Sequence, residues 1–128
     1  MNKKNNSDTP LDTSRIVAEH NDHFRSMIHI PHFGTPEIDG RVLVTRGISA
    51  LSPLAQISIL AAVRTFNAFT PDNDPYGEHD FGTVADSEAG RVFWKIDYYD
   101  TDYRYGSENP ADPTVTRRVL TVMLASEY

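Results

Sequence analysis

Alternating apolar residues between positions 91 and 99 place the strongest constraint on the fold of this chain. Successive side chains of a strand point to opposite faces. One face of this segment therefore presents Val92, Trp94, Ile96 and Tyr98. Residues 79–85 predict a second strand, and a polar turn over residues 86–90 joins the two. The sequence thus predicts a β-hairpin with one face in the core.

Ser52 followed by Pro53 predicts the start of a helix that runs to about Phe69. The serine oxygen can accept hydrogen bonds from free amides, and proline fits the first helical position. Apolar residues occupy most of the helix circumference, which is typical of a central, largely buried helix. They are Leu54, Ile57, Ile59, Leu60, Val63 and Phe66.

Three further elements complete the predicted fold. A first helix is expected to begin at Thr13 or Ser14, residues 41–46 predict a short strand, and residues 113–127 predict an amphipathic last helix. The order α-β-α-β-β-α indicates an α+β fold, with a small antiparallel sheet of about three strands packed against about three helices. We expect residues 1–12 to be a flexible tail and residues 13–128 to form a single domain.

Composition limits the classes of function. A chain of 128 residues that is 39% apolar is expected to be globular. The absence of cysteine excludes disulfides, thiolate zinc sites and cysteine nucleophiles. We expect no membrane span and no signal peptide, since no apolar run is long enough, and therefore a cytoplasmic location. No motif predicts a cofactor.

Acidic residues are concentrated between positions 72 and 112. This acidic segment holds 11 of the 18 acidic residues and only three basic ones, a net charge of −8, whereas the whole chain carries −6. Such a charge disfavours direct nucleic-acid binding and favours a protein partner with a basic surface. The predicted binding residues are Asp74, Glu78, Asp100, Asp102, Tyr76 and Tyr99. The oligomeric state stays open.

The same segment suggests an alternative, a small acid–base or metal-assisted enzyme. Its catalytic residues would be His79, Asp80, Asp97 and Arg117, and Asp74 and Arg118 would complete the polar pocket. Because Arg117 and Arg118 are predicted in the first turns of a helix, where the helix dipole disfavours cations, we expect one of them to pair with a carboxylate such as Asp97, Asp100 or Asp112.

Two groups of residues carry metal-binding side chains, but neither has convincing spacing. The first group contains Asp72, Asp74, Glu78, His79 and Asp80, and its glycine and glutamate do not fall at calcium-loop offsets. The second contains His20, His23, His29 and His32, with Glu19 or Asp22 as additional ligands, but it lacks a full ligand set. We therefore predict no metal site.

Four motifs resemble a family of small bacterial proteins classed as a domain of unknown function. They are NDPYGEHDFG at 73–82, VFWKIDYYD at 92–100, NPADP at 109–113 and TRRVLT at 116–121. The resemblance extends from about Asn21, including Asp22, Phe24 and Arg25, to Tyr128. It implies no known activity or catalytic residue. Members often occur on plasmids and other mobile elements, which implies an accessory role such as counter-defence.

Three hypotheses follow from the sequence. The first is an interaction protein that docks through its acidic segment, and the second is the small enzyme with an Asp/His/Arg pocket. In the third, the loop residues only brace the fold, and function lies on a surface that the sequence does not identify. Charge asymmetry is visible in the sequence, whereas catalytic geometry is not, so we favour the interaction protein.

Overall fold

The computed structural model describes residues 10–28 and 38–128. Most of the predicted N-terminal tail, residues 1–9, lies outside the described residues. The helices are α1 (Pro10–Ser26), the short α2 (Arg46–Ser49) and α3 (Pro53–Thr65). The strands are β1 (Gly40–Val44), β2 (Phe81–Asp86), β3 (Gly90–Tyr99) and β4 (Arg117–Leu124), and a 3-10 turn follows at Ala125–Glu127.

The four strands form one mixed sheet in the order β1-β4-β3-β2. β2 pairs antiparallel with β3, and β3 pairs antiparallel with β4. β1 lies parallel to β4 along the edge, with Val42 opposite Leu120. The predicted α+β class is confirmed, although the sheet has four strands and one of its pairings is parallel.

The predicted last helix is wrong, because Arg117–Leu124 forms β4. The segment also fits a two-residue period, since the alternate residues Arg118, Leu120 and Val122 are buried. A short apolar run fits either period, and pairing along the central strand β3 decides between them. Asp112, which precedes this segment, closes a turn, since its carboxylate accepts hydrogen bonds from the amide and hydroxyl of Thr114.

The predicted start of α3 is confirmed. The Ser52 hydroxyl accepts a hydrogen bond from the Ala55 amide at 3.2 Å, and Pro53 is the first helical residue. The helix ends at Thr65, earlier than predicted, and it is less buried than predicted. Leu54 is 78% exposed and Ile57 is 66% exposed, so only one side of the helix packs on the core.

The core lies between the helices and one face of the sheet. The prediction that Val92, Trp94 and Ile96 share a buried face is confirmed, since each is at most 3% exposed. α1 and α3 cover this face with buried residues that include Val17, Phe24, Ile59 and Val63. The opposite face of the sheet, here called the open face, carries the alternate residues of β3: Phe93, Lys95, Asp97 and Tyr99.

The remaining boundaries differ slightly from prediction. α1 begins at Pro10 rather than at Thr13 or Ser14. β1 ends at Val44, and Arg46 already belongs to the short helix α2.

Candidate functional site

A buried hydrogen-bond network joins α1 to the end of the sheet where β3 finishes. The Asn21 side-chain amide donates to the Glu78 carbonyl at 2.9 Å and to the Tyr98 hydroxyl at 2.8 Å. The Asn21 carbonyl oxygen accepts from Arg118 Nε at 2.6 Å. The Tyr98 hydroxyl in turn donates to the Glu78 carboxylate at 3.1 Å. Asn21 therefore links α1, β3, β4 and the segment before β2.

Arg118 is fully buried in this network. Its Nη2 donates to the Pro110 carbonyl at 3.2 Å, and its guanidinium lies 5.2 Å from the ring centre of Tyr98. Burial lowers the pKa of Arg118, while Tyr98 and Glu78 act in the opposite direction. Burial also raises the pKa of Tyr98, so its hydroxyl stays protonated and serves as a donor. The network is thus a structural clamp.

Arg25 forms a second buried anchor, one turn further along α1. Its Nη1 donates to the carbonyls of Val63 and Phe66, at the end of α3, at 2.8 and 3.0 Å. The guanidinium lies 4.7 Å from the ring centre of Trp94. Its Nη2 pairs with Asp22 at 2.7 Å. Burial lowers the pKa of Arg25, and Asp22 opposes that shift.

His79 is fixed by contacts with three other residues. Its Nδ1 lies 2.9 and 3.0 Å from the two carboxylate oxygens of Asp22. The imidazole stacks on Phe69, with ring centres 3.8 Å apart and planes 5° from parallel. The backbone has a φ of 57°, and its amide donates to the Asp74 carboxylate at 3.2 Å. The structure thus assembles an Arg25–Asp22–His79 chain from residues on α1 and on the loop before β2.

Asp74 organises the turn that carries His79. Its carboxylate accepts hydrogen bonds from the amides of Glu78 and His79, and its side chain is only 6% exposed. Gly77, within the same turn, adopts a φ of 68°. The turn residues between Asp74 and His79 therefore shape the loop that carries His79.

Two clefts lie beside His79, and Tyr76 and Gly77 line both of them. The smaller cleft, of about 190 Å³, is also lined by Ser14, Arg15, Ala18, Glu19 and Asp22. The larger cleft, of about 320 Å³, is also lined by Phe69, Thr70, Pro71, Asp74 and Pro75. We call the larger one the aromatic cleft.

Asp80 lies beside this site, and its backbone carbonyl accepts a hydrogen bond from the Ile96 amide at 2.8 Å. Burial raises the pKa of Asp80, and the nearby carboxylates of Glu78 and Asp74 raise it further. Its predicted catalytic role stays a prediction.

The acidic segment is divided between the two ends of the sheet. Because β2 begins opposite Lys95 and β4 begins opposite Tyr99, residues 72–80 and 100–112 lie at the same end. The turn at residues 86–90 lies at the other end. The fold therefore brings most of the acidic residues together at one end, which we call the acidic end.

A cleft of about 400 Å³ opens at the acidic end. It is lined by Asp100, Thr101, Glu108, Asn109, Asp112 and Val115. Hydrogen bonds hold the pKa values of Asp100 and Asp112 below their ordinary value; for Asp100 the main donor is the Arg104 amide, and for Asp112 it is the Thr114 hydroxyl. We call this the acidic cleft, because three of its described lining residues are carboxylates and none of them is basic.

The predicted binding residues have different environments. Tyr76 and Asp102 are exposed. Asp74, Glu78 and Asp100 are engaged in hydrogen bonds that shape turns or clamp the core.

The predicted enzyme pocket does not form as one site. Asp97 and Arg117 point to the open face, whereas His79 lies on the helix side of the sheet with α1. Asp97 pairs with Lys95 at 2.6 Å. The expected ion pair from Arg117 or Arg118 does form, but the carboxylate is that of Asp39, 3.3 Å from Arg117, and neither arginine lies in a helix. Tyr99 also lies on the open face, opposite Arg117.

Over residues 10–28 and 38–128, no three histidine or acidic side chains are placed to hold a metal ion. Two of the candidate ligands, His29 and His32, lie outside the described residues.

A family model described as "Protein of unknown function (DUF3768)" matches residues 44–127, well over half of the chain. The chain belongs to the DUF3768 family. The match includes all four motifs identified in the sequence, and it contains His79 and the acidic cleft. The α1 residues Asn21, Asp22 and Arg25 lie before the DUF3768 match. No curated protein and no solved structure matches the chain.

In this DUF3768 protein, sequence reasoning missed the roles of Asn21, Asp22 and Arg25. The available signal was their place at the start of the family resemblance, where they occur within five residues. Asn21 and Asp22 lie 57 residues from their partners Glu78 and His79, so no local pattern connects them. None of the helices in the described part of the chain is long and apolar enough to cross a membrane.

Proposed function

We propose that this protein is a cytoplasmic interaction protein that binds a basic surface of a partner protein through its acidic end. The observation that carries the proposal is the acidic cleft, where Asp100, Glu108 and Asp112 line one concavity and no other described residue lining it is basic. Charges of one sign within a cleft focus the electrostatic potential and attract an oppositely charged group. A lysine or arginine side chain of the partner has the complementary charge.

The shape and chemistry of the acidic cleft also fit such a side chain. Val115 lines the cleft and is 41% exposed, so it offers an apolar contact to the methylene stem of a lysine or arginine. The carboxylates would then meet the charged head group. Hydrogen bonds favour the ionised forms of Asp100 and Asp112 and lower the pKa of each below its ordinary value, so both carboxylates are charged at neutral pH.

We further propose that the partner's basic surface is a groove that ordinarily binds nucleic acid. Such grooves expose clustered lysine and arginine side chains, which the acidic end would occupy as a competitor. A counter-defence role on a mobile element would follow if the groove belonged to a restriction enzyme or a similar host factor.

A salt-controlled pull-down with charge-reversal variants tests the proposal. Glu108→Lys is the informative variant, because the Glu108 carboxylate makes no hydrogen bond to a described residue and its replacement should leave the fold intact. Asp102→Lys is a second exposed change at the acidic end. Glu19→Lys is the matched control, since it makes the same charge change on the exposed side of α1.

The parent and the Glu19→Lys protein should retain the same partner at low salt. That partner should be lost at high salt and with Glu108→Lys, because rim charges act mainly on the association rate and its salt dependence. Retention of identical proteins by the parent and all three variants, or of none by any of the four, would refute docking through the acidic cleft.

A further inference from the structure

The contacts around His79 determine which ring nitrogen carries its proton. A carboxylate can only accept a hydrogen bond, so the pairing of Nδ1 with Asp22 at 2.9 Å places the proton on Nδ1. In the neutral ring, Nε2 then carries a free electron pair. Asp74 Oδ2 lies 3.7 Å from Nε2, beyond hydrogen-bond distance. Nε2 makes no hydrogen bond to a described residue.

The carboxylate of Asp22, which orients the His79 ring, is itself held by a buried side chain of the core. Asp22 itself is 45% exposed in its side chain and would be mobile alone, but Arg25 holds one of its oxygens at 2.7 Å. The Arg25 side chain is 3% exposed and is anchored on two carbonyls at the end of α3. A carboxylate that orients an imidazole and is itself held by a second group is the arrangement that fixes a catalytic histidine.

The backbone conformation of His79 is a second, independent indication that the fold holds this residue in one position. A φ of 57° is uncommon for a residue with a side chain, and it persists only where surrounding contacts enforce it. Those contacts are the stacking of the ring on Phe69 and the hydrogen bond that the His79 backbone amide donates to the Asp74 carboxylate. The fold thus maintains an unusual conformation that leaves the ring 29% exposed between two clefts.

The lining of the aromatic cleft indicates the kind of molecule it would accept. The cleft is a shallow depression of about 320 Å³ that is open to solvent. Phe69, Pro71, Pro75 and Tyr76 give it apolar and aromatic walls. Asp74 also lines the cleft, so an anionic ligand would be repelled. An uncharged molecule with an aromatic ring fits these surfaces best.

We propose that His79 is a general base that activates water for hydrolysis of an uncharged aryl ester bound in the aromatic cleft, with Asp22 as its positioning residue. Nε2 takes a proton from water as the water oxygen bonds to the ester carbonyl carbon. The carbonyl then re-forms as the bond to the aryl oxygen breaks. The phenolate leaves, and the proton on Nε2 passes to it or to solvent, which restores the neutral ring.

Hydrolysis of p-nitrophenyl acetate by the full chain tests the proposal. The parent should release p-nitrophenol about 10²-fold faster than free imidazole at the same concentration, because the base is oriented beside the ester. His79→Asn should abolish that excess. Asparagine tolerates the left-handed backbone, so the fold should survive, which circular dichroism would verify. His23→Gln, at an exposed position on α1, should keep the parent rate.

His79→Gly gives a second and stricter test. Glycine adopts this backbone conformation readily and leaves a ring-sized space on Phe69. Added imidazole should therefore restore much of the lost rate to the glycine variant but not to the asparagine variant, whose side chain occupies part of the space. Equal rates for the parent and folded His79→Asn, a parent rate no greater than that of free imidazole, or no rescue of folded His79→Gly would each overturn the proposal.

The role of Asp22 is tested by Asp22→Asn. If Asp22 is a positioning residue, this variant should lower kcat about tenfold or more. KM should stay near the parent value, since Asp22 does not contact the ester. Asp22→Glu, which keeps a carboxylate, should recover part of kcat. If both variants keep the parent kcat, Asp22 does not position the base and the proposed site is wrong.

Discussion

Replacing Asn21 with alanine should lower the free energy of unfolding by about 3–5 kcal/mol. Asn21 is fully buried and makes three hydrogen bonds, to the Glu78 carbonyl, the Tyr98 hydroxyl and Arg118 Nε. The bond to the charged guanidinium contributes about 1.5–3 kcal/mol, and each of the other two contributes about 0.5–1.5 kcal/mol. Alanine would leave those partner groups buried without a replacement.

Arg118 makes this loss especially severe. Its Nη1 is already buried without a hydrogen-bond partner, so the variant would leave a second guanidinium nitrogen unsatisfied in the core. A domain of this size is stabilised by about 5–15 kcal/mol in total. The substitution should therefore remove a large fraction of the free energy of unfolding. The protein should still fold, but it should unfold at a much lower urea concentration.

Urea unfolding followed by tryptophan fluorescence would measure the effect, since Trp94 is fully buried. Ser26→Ala is the control on the same helix. Among the described residues its exposed hydroxyl bonds only to the His23 carbonyl, and its removal should change stability by no more than about 0.5 kcal/mol. A double-mutant cycle with Arg118→Met should give a coupling energy of about 1–3 kcal/mol. A loss below about 1 kcal/mol for Asn21→Ala, at an unchanged urea dependence, would refute this reasoning.

Three other substitutions give distinct expected outcomes. The raised pKa of Asp80 means that its ionised form destabilises the fold above the ordinary pKa of 3.8, so Asp80→Asn should raise the melting temperature at pH 7 and lose that advantage below pH 3.8. The gain should not exceed about 1 kcal/mol, because the group is partly exposed. Gly82→Ala would place a Cβ 2.4 Å from Nε1 of the buried Trp94 and should destabilise by about 1–3 kcal/mol or more in thermal unfolding. Ser52→Ala removes the cap of α3 and should lower stability by about 1 kcal/mol in urea titration.

Local signals identified the elements whose hydrogen bonds are formed by neighbours in sequence. The β2–β3 hairpin needs only its turn and its alternating pattern. Likewise, α3 begins at Pro53 because the preceding Ser52 caps it by accepting a hydrogen bond from the Ala55 amide, three residues away. The α+β class follows from these elements. The charge concentration between residues 72 and 112 is likewise a property of the sequence itself.

The local sequence could not distinguish a helix from a strand at β4. Residues 117–124 carry enough apolar side chains to satisfy a helical arc or a strand face. Only the presence of β3 on one side and β1 on the other decides the outcome, because pairing satisfies the backbone groups of β4 on both edges.

The candidate sites depend on tertiary structure for the same reason. The sequence singles out His79 by the composition of its turn, but Asp22 reaches it from 57 positions away, and Arg25 joins through carbonyls at the end of α3. The sequence placed Asp97 and Arg117 in one predicted pocket with His79. Because alternate residues of a strand point to opposite faces, Asp97 and Arg117 lie on the other face of the sheet. The sequence by itself determines which side chains exist and how neighbours pair. Packing of α1 on the sheet decides which distant side chains meet, because burying polar groups without hydrogen-bond partners costs stability and most of them therefore pair.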